Sequence, residues 1–200
     1  LEIIPANALP GSPKKYIDLT RDQVKLEEQA AKSEVISIPR DGRQWRIGVI
    51  DVPSFYRDYP ALSRGDKDFT STTKDVKRLI AELEKEGIDG LIIDLRGNGG
   101  GHLTEATALS GLFIDNGPIV QLRNGSGRIS RLDDPDPVAR VAYTGPLAVL
   151  VDRYSASASE IFAAAIQDYE RGVIIGQQTF GKGTVQNLYA LDQDMRREDD

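Results

Sequence analysis

Ser157 and Lys182, 25 positions apart, are the two residues of this chain best suited to making and breaking an acyl bond. Ser157 followed three residues later by Glu160 forms a capping box, the mark of a helix start. Ile161, Phe162, Ala165 and Tyr169 recur at spacings of one, three and four, which predicts an amphipathic helix behind the serine. Unpaired backbone N–H groups and the positive end of the helix dipole favour negative charge there. That suits a hydroxyl becoming an alkoxide and an acyl oxygen becoming an oxyanion. The usual base is missing, since the chain has a single histidine (His102), no cysteine and no Gly-x-Ser-x-Gly elbow. Lys182 stands among Phe180, Gly181, Gly183 and Val185, where lost hydration would lower its pKa towards neutrality and let it act as a base. Serine–lysine pairs are a variant of the triad logic. The plain alternative is an N-cap serine and a solvated loop lysine. Spacing alone also leaves Ser155 and Ser159 open as alternatives to Ser157.

Three motifs stand in order: Asp94-Leu-Arg-Gly-Asn-Gly-Gly-Gly, then Arg153-Tyr-Ser-Ala-Ser-Ala-Ser-Glu-Ile-Phe-Ala, then Thr179-Phe-Gly-Lys-Gly-Thr-Val-Gln. Together they resemble the tail-specific or C-terminal processing proteases, a serine–lysine class, over nearly the whole chain. The resemblance implies an α/β, ClpP/crotonase-like core of ββα-type units. It makes Ser157 the nucleophile, Lys182 the base and Gln186 the residue that orients the lysine. The backbone N–H groups of Ala158 and of Gly100 or Gly101 then match the oxyanion hole. Substrates implied are proteins with apolar C-terminal tails, read by a PDZ module, in the periplasm or cell envelope. An adaptor or self-association would fit as well, and no cofactor is implied. Residues 1–34 become the exit arm from an absent PDZ body, and 35–200 a catalytic core truncated at its C-terminus. The chain opens at Leu1 without a basic-then-apolar leader, which favours an excised piece of a longer precursor.

Rival readings are weaker. Gly176-Gln-Gln-Thr-Phe-Gly-Lys nearly spells a phosphate-binding loop, but Gly183 stands where the Mg²⁺-holding hydroxyl belongs. Thr184 to Leu191 also alternates like a strand, where that loop must open a helix. A crotonase-type acyl-CoA enzyme would share the fold and the glycine loop without needing Ser157 or Lys182. A scaffold fragment without activity is the bland reading. A net charge of −6 without a Lys/Arg stripe argues against nucleic acid. No run approaches the ~18 apolar residues of a membrane span. His102 has no partner histidine, so it reads as a groove or capping residue, not a metal ligand. Asp168 lies eleven residues past Ser157, roughly 16 Å along a helix at ~1.5 Å per residue. That is too far for a triad aspartate, and a supporting role near the helix end is expected.

The positioning elements read as strand–helix alternation. Val35–Ile38 and Trp45–Val52 form a hairpin across Pro39–Arg43, with the second strand largely buried. Residues 53–68 read as a loop whose Phe55, Tyr56 and Tyr59 either seal the core or line a groove. Ser71, Thr72 or Thr73 caps a helix carrying Val76, Leu79, Ile80 and Leu83, stopped by Gly87. A buried strand, 88–95, runs into the glycine loop, and a helix follows from Leu103 to Phe113. Further strands are expected at 118–122, 146–151 and 173–176, and a long turn region at 124–144. This alternation implies parallel βαβ units with right-handed crossovers.

Overall fold

The computed structural model describes residues 2–4, 7, 9, 12–19, 30–66, 68–135 and 141–186. Two short strands, β1 (Glu2–Ile3) and β2 (Lys15–Tyr16), pair antiparallel in the N-terminal arm. The main sheet opens with β3 (Lys32–Arg40) and β4 (Arg43–Asp51). Asp41 (φ 53°) and Gly42 (φ 74°) turn the chain between them with both central residues left-handed. That is the twist-matched two-residue hairpin that Asp-Gly favours. Pro39 is tolerated because β3 is an edge strand. The burial expected along the second strand holds only for its last turn of sequence, where Ile50 is fully buried, while Trp45 remains exposed.

In the segment 53–68 the structure differs from the expected loop, because α1 (Tyr59–Ser63) forms within it. Asp58 caps this helix, accepting from the Ala61 N–H at 3.0 Å, and Pro60 sits in its first turn. Phe55 and Tyr56 seal the core, whereas Tyr59 stays exposed. The helix α2 (Thr72–Lys85) has Ser71 as N-cap and buries Val76, Leu79, Ile80 and Leu83. Gly87 (φ 74°) follows its end in the left-handed conformation of a helix stop.

From there the chain builds parallel units. Strand β5 (Gly90–Asp94) lies parallel to β4, and helix α3 (Leu103–Gly111) follows the glycine loop. Strand β8 (Leu147–Val151) lies parallel to β5, helix α4 (Ala158–Asp168) follows it, and β9 (Val173–Gly176) lies parallel to β8. Between α3 and β8 stands a separate antiparallel hairpin, β6 (Val120–Arg123) and β7 (Ile129–Leu132). Strand β7 falls in the region read as turn, since Ile-Ser-Arg-Leu is a short, mostly exposed strand with no apolar alternation. Asn124 closes its loop, its Oδ1 accepting from Ser126 N–H, Ser126 Oγ–H and Arg128 N–H. The sheet order is β3-β4-β5-β8-β9.

In register across the strands, Ile50, Ile93 and Val149 stand side by side and are fully buried. They meet the apolar sides of the helices, where Leu109, Phe162 and Ile166 are equally buried and Phe113 stacks edge-on to Phe162 at 5.7 Å. The strand stretch expected after Thr184 shows no strand at 184–186, and residues 187–191 lie outside the described residues. Phe162→Ala is expected to destabilise the fold by about 3–5 kcal/mol through lost burial and the cavity left behind. Phe180→Ala, at a side chain 66% exposed, is expected to stay within about 0.5 kcal/mol. Urea unfolding of the two variants side by side checks the contrast, and equal losses would contradict this assignment of the core.

Candidate active site

The site is assembled where two parallel strands end. After β8 the chain makes a tight turn through Asp152 to Ser157 before α4 begins. The Asp152 carboxylate accepts from the N–H groups of Gly97, Tyr154 and Ser155 at 2.9–3.1 Å. The bond from Gly97 leads in holding this carboxyl below its ordinary range, against a smaller opposing effect of burial. The three serines of the run differ in surroundings. Ser155 is fully buried, and its hydroxyl donates to the Leu95 carbonyl at 2.7 Å. Ser159 is fully buried too, donating to the Asn98 carbonyl at 2.9 Å. Ser157 alone of the three is partly open, and it lines two clefts.

Ser157 has φ 57° and ψ −112°, a backbone conformation that costs a side-chain-bearing residue about 1–3 kcal/mol. A sharp, strained strand-to-helix turn is also how α/β-hydrolases expose a serine. Beneath it runs the glycine loop. A Cβ on Gly100 would lie 2.7 Å from the Ala156 carbonyl oxygen and 2.8 Å from the Ser157 Cβ. Gly101, at φ 148°, passes so close to Phe55 that a Cβ there would meet its carbonyl oxygen at 2.2 Å. Gly100 donates its N–H to Asn98 Oδ1 at 2.8 Å. The N–H groups of Gly101 and Ala158 have no hydrogen-bond partner among the described residues, and both residues line the smaller cleft with Ser157.

Lys182 lines both clefts with Ser157, held there through its backbone. The Glu160 carboxylate accepts from Ser157 N–H (2.8 Å), Gly181 N–H (2.6 Å) and Lys182 N–H (2.9 Å). Burial pushes the Glu160 carboxyl up, but these donors together with the Thr179 hydroxyl outweigh it and hold the group below its ordinary range. The lysine itself is exposed, so the apolar enclosure expected around it is not built by the described residues. Gln186 lines the smaller cleft with Lys182 and donates through Nε2 to Thr184 Oγ1 at 3.2 Å. His102 is the N-cap of α3 without a side-chain cap bond. Its ring meets Tyr59 edge-on at 4.7 Å and borders the smaller cleft, so it is a groove residue. Asp168, the last residue of α4, is exposed at the far end of the larger cleft, with no hydrogen bond or ion pair among the described residues. No group of three or more His, Cys, Asp and Glu suited to a metal occurs among the described residues.

Two residues of the site were not singled out from the sequence. The sequence shows Glu160 only as half of a capping box, since its hold on Gly181 and Lys182 spans more than twenty positions. Asn98, fully buried, donates from Nδ2 to the Val52 carbonyl at 2.7 Å. A lone amide inside a glycine run was the available signal for it.

A helix-backed, mostly parallel sheet with a serine at the start of a post-strand helix is an α/β frame that presents that hydroxyl at a helix N-terminus. Residues 46–196 match Peptidase family S41, and the chain belongs to that family. It is 50% identical over 199 residues to the tail-specific protease of Haemophilus influenzae, covering 96% of this chain and 26% of that protein. It is 36% identical over 180 residues to the carboxy-terminal processing protease CtpA of Bacillus subtilis, covering 86% of this chain and 36% of the relative. The solved photosystem II D1 C-terminal processing protease superposes with a TM-score of 0.64 at 28% identity, over 92% of this chain and 46% of that one. The chain thus spans about a quarter to a third of the curated relatives' length.

Glu160→Gln keeps an amide oxygen but loses the charge and one acceptor, so the 179–182 segment should loosen. Hydrogen exchange at Gly181 and Lys182 is expected to quicken in that variant at neutral pH. Because the folded carboxyl is held low, its contribution is present above the unfolded value and lost as pH falls through the folded one. The same quickening should therefore appear in the wild type only under acid. Unchanged exchange in the variant would remove Glu160 as the clamp.

Proposed function

We propose that this chain carries the catalytic centre of a serine-type endopeptidase that processes protein C-terminal tails. The observation that carries the reading is the strained, open Ser157 beside two unengaged N–H groups, with Lys182 on the same clefts. Ser157 Oγ attacks the scissile carbonyl carbon while Lys182 Nζ takes the hydroxyl proton. The carbonyl oxygen, now negative, is received by the N–H groups of Gly101 and Ala158. Gly100 supplies geometry instead, its own N–H being engaged by Asn98. Collapse of the tetrahedral intermediate expels the amine, which takes the proton back from Lys182. Water then enters by the same route, hydrolyses the ester and frees the serine.

Gln186 is assigned to orient Lys182, which its place on the shared cleft supports. Family membership supports protein substrates. Apolar tails, their capture by a PDZ module preceding residue 35, and a periplasmic or cell-envelope setting are carried over from the resemblance. An acyl-CoA enzyme gives no reason for strain at Ser157 and is not favoured.

In the full-length protein, Ser157→Ala is expected to lower kcat/KM on an apolar-tailed substrate by about 10³-fold or more. Ser155→Ala, in contrast, should act through stability, since that hydroxyl bonds a buried carbonyl. Cleavage surviving Ser157→Ala but not Ser155→Ala would move the nucleophile. Lys182→Arg should be nearly inactive, because a guanidinium keeps its proton at any working pH. Gln186→Ala should lose roughly fivefold, the size of one orienting hydrogen bond. Near-normal turnover by Lys182→Arg would end the serine–lysine reading. The isolated 200-residue chain should cleave weakly at best, since it spans a minority of its relatives' length and leaves Lys182 exposed. Turnover by that chain equal to the full-length protein's would show otherwise.

A further inference from the structure

We infer that Arg57 and Glu105 are positioning residues for the reaction: their ion pair ties the strap 53–58 to the start of α3 and so aims the Gly101 N–H at the oxyanion. The inference rests on the peptidase reading of Ser157. The strap leaves β4 and runs between two neighbours. On one side Phe55 pairs parallel with Gly101. Its N–H donates to the Gly100 carbonyl at 3.0 Å, and its carbonyl accepts from the His102 N–H at 2.9 Å. On the other side Arg57 pairs antiparallel with Ser71. Beside it the Tyr56 N–H donates to Thr72 Oγ1, and the Tyr56 carbonyl accepts from the Thr72 N–H. So short a pairing fixes the strap only as well as its side chains are held.

Glu105, in the first turn of α3 and only 2% exposed, supplies that hold. One of its oxygens accepts from the Thr73 N–H at 3.0 Å and from the Thr73 hydroxyl at 2.7 Å. Thr73 lies in the first turn of α2, so the carboxylate satisfies a donor that helix leaves unpaired. The other oxygen faces the Arg57 guanidinium at 3.3 Å, which also donates to Thr104 Oγ1 at 3.0 Å. Strap, α2 and α3 thus meet at one buried charge just after Gly101. Arg57 Nε is buried without a hydrogen-bond partner among the described residues, which costs stability. An apolar side chain would seal that place without the loss, but it would leave the Glu105 charge uncompensated. Unlike the Gly100 and His102 amides, the Gly101 N–H has no partner among the described residues, so only this framework sets its direction. A donor turned out of line loses most of its effect on the oxyanion and little of the substrate's binding.

The test measures kcat and KM of the full-length protein on an apolar-tailed substrate. Beside them it measures the affinity of a matching peptide boronic acid, whose boron adds the Ser157 oxygen and becomes a tetrahedral anion. Arg57→Gln should lower kcat about tenfold, less than the ~10²–10³ of a donor removed outright, and leave KM within about twofold. The boronic acid should weaken by about the same tenfold, while the product peptide, which has no tetrahedral centre, binds as before. Arg57→Lys keeps the charge and should recover most of the loss. The double variant Arg57→Gln, Glu105→Gln strands no charge in the interior and should fall no further than Arg57→Gln, because the two residues act as a unit. Ser157-dependent cleavage that Arg57→Gln leaves at full kcat overturns the inference and keeps the peptidase reading. A raised KM with kcat intact overturns it as well, as does a lowered Tm with kcat and boronic acid affinity unchanged, which would make the pair merely structural. No Ser157-dependent cleavage of any substrate overturns both readings.

Discussion

Ser157 holds a backbone conformation that opposes folding because the residues on either side of it are tied down. Ser155 and Ser159 each donate to a carbonyl of the other loop, Leu95 and Asn98, and the Ala156 N–H bonds the Asn98 carbonyl as well. Asp152 reaches across to the Gly97 N–H. Every one of these bonds joins the turn after β8 to the loop after β5. Since the bonds of Ser155 and Ser159 are buried, leaving either unmade costs more than the bond contributes when formed. Relaxing Ser157 towards an ordinary helix start would break several at once, which explains how a strain of a few kcal/mol persists.

Ser157 and the segment carrying Lys182 are joined through a single carboxylate. Glu160 binds the amide of Ser157 from its own helix and the amides of Gly181 and Lys182 from the segment after β9. A neutral side chain with one acceptor oxygen could not serve three donors so well, and a carboxylate with two oxygens and a full charge can. Its position in the first turn of α4 adds the favourable field of the helix dipole. Serine and lysine thus share one anchor, although they come from different strand ends. The lysine side chain is left free to move, while its backbone is not.

The sequence made local features legible and left cross-chain features hidden. Helices α2, α3 and α4 and strands β4, β5, β8 and β9 follow from apolar periodicity and punctuation by Gly and Ser. The hairpin after Arg40 follows from Asp-Gly. Helix α1 and strand β7 escaped because five and four residues carry too little periodicity to compete with their turn residues. At the site, the serine, the lysine and the glycine loop were readable as residue types. Their choice among neighbours was not, because Ser155, Ser157 and Ser159 look alike until burial and hydrogen bonding separate them. The roles of Glu160 and Asn98 depend on partners more than twenty and forty positions away, which no local pattern encodes.

The two adjoining glycines show why a motif can contain equal letters with unequal duties. Gly100 must lack a Cβ because the Ala156 carbonyl and the Ser157 side chain occupy that space. Gly101 must lack one because the Phe55 carbonyl does. These close approaches press the loop between the turn at Ser157 on one side and the strap from β4 on the other. Asn98 then fixes the peptide plane of Gly100 by accepting its N–H, and the His102 N–H bonds the Phe55 carbonyl just beyond. Of three successive amides, the first and third are therefore engaged within the protein. The middle one, at Gly101, is left over beside Ser157. A donor that the fold has oriented and not used costs little reorganisation when a negative oxygen arrives, which is the condition for strong electrostatic stabilisation.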